Sequence, residues 1–101
     1  MIVDIKKSPI EHKRLRLTMD NGKTYDFGLD TGTTYIDGAT ELTRQNYLKR
    51  HLGNPIEKRL IENLVPSPSL FSAYLLWGNS RDLYKNIEFL NVLFKKKHGK
   101  N

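Results

Sequence analysis

Asp30-Thr31-Gly32-Thr33 is the run whose residue types come closest to carrying out chemistry: a carboxylate on a glycine turn, directly after a strand-like segment. Two such carboxylates facing each other across a twofold axis would share one proton, because like charges that close cannot both ionise. One chain supplies only one of them, so that chemistry needs a dimer and strand-built walls. The same residues also read as an ordinary turn, which Asp and Gly favour without any function. His12, His51 and His98 have no second His or carboxylate at metal-ligand spacing on one face. His51, in Lys49-Arg50-His51 at a helix end, reads as a capping or surface residue. Asp20, Asp26, Asp30 and Asp37 lack the spacing of a calcium loop. The nearby glycines do not lead into a helix as a phosphate-binding loop requires. No metal or cofactor is expected.

The other candidate chemistry is cationic. Seventeen Lys and Arg stand against eleven Asp and Glu, a formal charge of +6 on 101 residues, which favours polyanions such as DNA, RNA, anionic lipid or an acidic protein surface. The cations fall into four groups. Lys13, Arg14 and Arg16 share one strand, with Arg14 and Arg16 on its outer face. Arg44, Lys49 and Arg50 share one helix, followed by Lys58 and Arg59. The last group is Lys95-Lys96-Lys97-His98-Gly99-Lys100 at the end of the chain. Each group alone reads as a solvated face. Together they could neutralise several phosphates in a salt-sensitive way. No motif for reading base sequence accompanies them.

The elements that must position these residues fall into two regimes. Residues 1–37 alternate and carry turn signals. Lys13–Met19 and Lys23–Leu29 form a hairpin around Asp20-Asn21-Gly22. A two-residue turn would mix the faces, whereas a three-residue loop with a bulge at Gly22 pairs Met19 with Lys23. It then sets Leu17 opposite Tyr25, Leu15 opposite Phe27 and Arg16 opposite Asp26. A short strand at Ile2–Lys6 adds to this sheet.

From residue 40 the spacing is helical. Thr40 caps a helix from Glu41 to about Leu52, with Gly53 at C′. Asn54-Pro55-Ile56-Glu57 starts a second helix, ending near Leu64. Ser67-Pro68 starts a third, which Gly78 ends. Ser80 caps the last, where Leu83, Ile87, Leu90 and Phe94 recur at helical spacing and Lys95–Lys97 suit its negative end. The expectation is an α+β fold: an N-terminal β-hairpin or small antiparallel sheet packed against about four short helices, as one domain over 1–94 with a basic tail over 95–101.

The third of these helices holds the only Trp. Ser67–Gly78 concentrates Phe71, Tyr74 and Trp77 among aliphatic residues, and it reads either as a core helix or as a docking site for a partner. Its apolar block, residues 70–77, is less than half the ~20 apolar residues of a spanning helix, which excludes a membrane span. With no cysteine, a disulfide framework and thiolate zinc sites are excluded as well. The N-terminal residues carry no signal-peptide pattern, so the chain is not expected to be secreted.

Two resemblances bear on function. Asp30-Thr31-Gly32 resembles the signature of aspartic proteases, whose viral members are homodimers of about this length. Leu75-Leu76-Trp77-Gly78-Asn79 before a helix resembles the second half of their pattern. Residues 40–65, however, are helical by spacing and by two caps, so the half that would bear the protease flaps is missing. The chain also resembles an uncharacterised family of small basic proteins encoded by giant and other large DNA viruses, over about Ser8 to Leu90. That resemblance rests on Lys7-Ser8-Pro9, Asn21-Gly22-Lys23, Asp26-Phe27-Gly28, Arg44, Tyr47, Arg50-His51, Phe71 and Leu75-Leu76-Trp77. Where the family has a His-Lys-Asp-like step, Ile36-Asp37-Gly38 stands here, and no role is carried over for it. The resemblance implies a viral origin, packaging in the particle and no reaction.

The expected function is that of a non-enzymatic minor structural (capsid or virion-associated) protein. Its partners would be capsid or other virion proteins, in the virion or the host-cell interior. A sequence-independent nucleic-acid-binding protein is the alternative, and a protease acting through Asp30 the remote one.

Overall fold

The structure, a computed structural model, describes residues 1–98. Of the expected basic tail, residues 99–101 lie outside them. Three strands, β1 (Ile2–Lys7), β2 (Lys13–Met19) and β3 (Thr24–Leu29), form one antiparallel sheet in the order β1-β2-β3. The register of β2 with β3 is the one that the apolar alternation selects. Leu15 faces Phe27, Arg16 faces Asp26 and Leu17 faces Tyr25. The amide of Met19 donates to the Lys23 carbonyl (2.9 Å), and Gly22 has φ +86. A three-residue loop needs that left-handed position, which glycine takes at no steric cost.

Helices α1 (Glu41–Leu52) and α2 (Pro55–Glu62) follow a short 3₁₀ turn at Tyr35–Asp37. Thr40 accepts from the Thr43 amide, and Asn54 accepts from the amides of Ile56 and Glu57. Both expected caps are therefore in place. Gly53 differs from expectation. It ends α1 with a right-handed backbone, φ −76, so its conformational freedom is not used. Leu64 takes the left-handed position after α2 instead (φ +53), and Val65 N–H closes on the Leu60 carbonyl (2.9 Å). That six-residue closure satisfies the orphan carbonyls of the helix end.

The third helix is not a single α-helix. Helix α3 (Pro68–Phe71), capped by Ser67, passes into a π-helical segment, Ser72–Leu76. Helix α4 (Leu83–His98) begins later than the Ser80 cap predicts. Asp82 Oδ1 accepts from the amides of Tyr84 and Lys85 and is the true cap, while Ser80 Oγ accepts from the Asp82 amide in the preceding turn. Lys95–Lys97 form the last full turn of α4 rather than a separate tail, where cations offset the partial negative charge of the helix end.

The core lies between the sheet and the α3–π–α4 layer. Phe27, Phe71, Phe94, Leu17, Leu70, Leu75, Leu76 and Leu90 are its fully buried large side chains. Phe71 meets Tyr25 and Phe27 at ring distances of 5.3 and 5.9 Å. The Asn91 amide pairs with the backbone of Ile2 (2.7 and 3.1 Å) and ties α4 to the edge strand. Among the described residues, no helix is long and apolar enough to cross a membrane.

Candidate functional site

The π segment sets the geometry of the only described Trp. A π turn bonds i to i+5, and here Trp77 N–H reaches the Ser72 carbonyl (3.1 Å). The end of the segment leaves carbonyls without a helical partner, and side chains satisfy them. Arg44 Nε, from α1, donates to the carbonyls of Trp77 (3.0 Å) and Gly78 (2.9 Å). Buried Asn86, from α4, donates to the carbonyls of Leu75 (3.0 Å) and Ser80 (2.8 Å) and accepts from the Ser80 amide (3.0 Å). The turn at 77–80 is thus clamped from both sides. Among the described residues, no buried side-chain N or O lacks a hydrogen-bond partner.

Held this way, Trp77 stacks on Tyr47 of α1, with ring centroids 4.4 Å apart and planes within 10°. Tyr47 in turn contacts His51, one helical turn on (4.1 Å). His51 Nδ1 lies 2.8 Å from Glu57 Oε1 on α2, and Ser69 Oγ of α3 donates to the same oxygen (3.2 Å). The carboxylate stands in the middle of this chain, whereas a hydroxyl nucleophile needs the imidazole there. Burial pushes the Tyr47 hydroxyl above its usual value, against a hydrogen bond with Ser72. It is neutral at physiological pH.

These residues form one wall of a cleft of about 570 Å³. The other wall is the Thr31–Thr34 loop after β3, with Lys13 at the start of β2 and Arg50 at the end of α1. The Arg50 guanidinium lies 5.9 Å above the Tyr47 ring. Lys13 and Arg50 come from two of the cationic groups read in the sequence and are brought together here, both exposed.

The other candidate cations divide. Arg14 makes two 2.6 Å bonds to Asp37, Arg16 is bidentate to Asp26 (3.1 and 3.2 Å), and Arg44 is the clamp described above. These three are committed to internal partners, which corrects their reading as free polyanion contacts: each side chain is mostly covered and finds an acceptor at closer range. The Asp37 carboxyl is held well below the usual carboxylate range by Arg14 and Thr34, against the opposing effect of burial. Asp26 is lowered by Arg16 and Ser8. Lys49, Lys95 and Lys96 are exposed, and Lys97 donates to the Asn63 carbonyl. None of the α4 lysines lines the cleft.

Of the three aromatics read as docking residues, Phe71 and Trp77 are 0% and 8% exposed. The fold buries them, which removes them as anchors for a partner. Tyr74 is half-buried, its hydroxyl raised by burial, and it stacks on exposed Phe89 (6.5 Å). Asp30 is an exposed turn residue, and the stretch that would carry protease flaps is helical. Among the described residues, no group of three His, Asp or Glu could hold a metal.

The hydroxyl-bearing wall and Tyr47 are the parts that sequence reasoning missed. The i, i+4 spacing of Tyr47 and His51 signals a shared face, but nothing local joins them to Trp77.

Residues 3–51 match a family of unknown function (DUF5754). The DUF5754 match takes in the sheet, the Thr31–Thr34 loop and most of α1, hence Lys13, Tyr47, Arg50 and His51, but not the π segment. It agrees with the expectation of an uncharacterised family. No curated protein and no solved structure matches the chain.

Proposed function

We propose that the protein is a non-enzymatic nucleic-acid-binding protein that grips the phosphate backbone without reading sequence. One observation carries this. Every ion pair among the described residues uses Arg, His or the N-terminus, and none uses a lysine. Arg14, Arg16 and Arg44, which brace the fold, are paired with Asp37, Asp26 and Glu41, whereas the lysines, Arg50 and Arg59 form no ion pair among the described residues and leave the excess charge facing outward. Such mobile, solvated cations suit the diffuse, counterion-releasing contacts of non-specific binding. Replacing Lys49, Lys95 and Lys96 together by Ala should weaken binding to unrelated sequences by the same factor, on the order of tenfold, in fluorescence anisotropy. A loss confined to one sequence would refute the reading.

A second reading is that of a minor structural component of a virus particle, in the virion or the host-cell interior, acting by protein contacts. It is favoured by a groove of about 300 Å³ lined by Leu48, Leu52, Ile61, Tyr74 and Phe89. Quantitative mass spectrometry of purified particles tests it. A stoichiometric copy number is expected, and absence from the particle would overturn it.

A further inference from the structure

We propose that the cleft between the Thr31–Thr34 loop and the Tyr47–Trp77 stack takes one unpaired nucleotide of a single-stranded nucleic acid. This rests on the nucleic-acid reading above and says where, and in what form, the strand is held. The volume of about 570 Å³ lies in the range of sites that enclose a small molecule. Its lining is divided by chemistry. Pro68, Leu76 and the uncovered part of Trp77 supply apolar surface, while Thr31, Thr33 and Ser69 supply hydroxyls. That combination suits a planar heterocycle, which is apolar on its faces and polar at its edges.

Charge selects what is attached to the ring. Lys13 and Arg50 approach the cleft from different elements, and among the described residues the side chain of neither takes part in an ion pair or hydrogen bond. The one carboxylate in the lining, Glu57, is tied to His51 and Ser69. The net field at the mouth is therefore cationic, placed for a phosphate next to the ring. A base inside a duplex cannot enter a concave site without being extruded from its stack, whereas an unpaired base enters directly. The site should therefore prefer single strands.

Trp77, the only Trp of the sequence, reports on the cleft from within it. The experiment compares an oligothymidylate of roughly twelve nucleotides with an abasic phosphodiester of the same length and with a duplex. We expect the oligothymidylate to bind about tenfold tighter than the abasic strand and to change Trp77 fluorescence, which the abasic strand should leave unaltered. Thr31→Met/Thr33→Met fills the cleft from two exposed positions without altering charge. It should abolish the preference for bases and leave abasic binding intact. Lys13→Ala/Arg50→Ala should weaken both strands. If the oligothymidylate binds no tighter than the abasic strand, or if the Met variant keeps the preference, the cleft inference is overturned while backbone binding stands. If no strand or duplex binds at low salt, both the inference and the reading it rests on are wrong.

Discussion

Two aspartates show how single residues shape the charge of this molecule. Asp37 receives both terminal nitrogens of Arg14, and Asp26 receives Arg16 together with the Ser8 hydroxyl. Both carboxyls are depressed below their ordinary values. A depressed acid stabilises the fold above its unfolded value, about 3.9, and loses that contribution as pH falls through the folded value. Asp37→Asn should therefore cost about 1 kcal/mol at neutral pH, an allowance that reflects the partial exposure of the pair. The gap to the parent should narrow below about pH 4. Urea denaturation at neutral and acidic pH measures it, and a constant gap would mean that the ion pair carries none of the effect. The Arg16–Asp26 pair was legible in the sequence because the hairpin register sets the two opposite each other. Arg14–Asp37 was not, because the hairpin faces Arg14 with Gly28 and its true partner lies in a later turn.

At the scale of elements, the π segment departs furthest from the sequence expectation. Its residues read as an ordinary helix because Ser67, Pro68 and Gly78 are valid start and stop signals, and no local propensity encodes a π turn. What holds its end is tertiary: Arg44 and Asn86, supplied by α1 and α4, bind the carbonyls of Leu75, Trp77, Gly78 and Ser80. A β-carbon on Gly78 would sit 2.1 Å from the Tyr74 carbonyl oxygen and 2.9 Å from Asn86 Cγ. Gly78→Ala should thus destabilise by about 3 kcal/mol. Gly22→Ala meets nothing within 4 Å and should cost only about 1 kcal/mol, for its left-handed backbone alone. Thermal unfolding of the two variants side by side checks the contrast, and equal losses would contradict the steric account. Asn86→Ala leaves two carbonyls and an amide without partners and should cost about 3 kcal/mol by the same measurement. The β2–β3 hairpin, by contrast, was readable down to its register, because a slip of one residue would move every apolar side chain to the wrong face. The Asp82 cap was missed because Ser80, two residues earlier, is an equally good cap by type.

For the whole molecule, the cations have separate tasks. Arg14, Arg16 and Arg44, with planar, forked donors, brace loops and turns, and the lysines together with Arg50 and Arg59 carry the net positive charge at the surface. The cationic groups were evident from the sequence, but which of them remain available was not. Availability depends on acceptors that only the folded chain brings near: Asp37 for Arg14, and the carbonyls of residues 77 and 78 for Arg44. The central claim, that this outward charge grips nucleic acid backbone, is tested most directly by the salt dependence of binding. About four phosphate contacts to a single strand give a slope of log K against log salt near −3, hence about a 50-fold loss between roughly 50 and 200 mM salt. A steep linear fall of that order, the same for unrelated sequences, is the predicted result; affinity that stays level as salt rises would contradict the account.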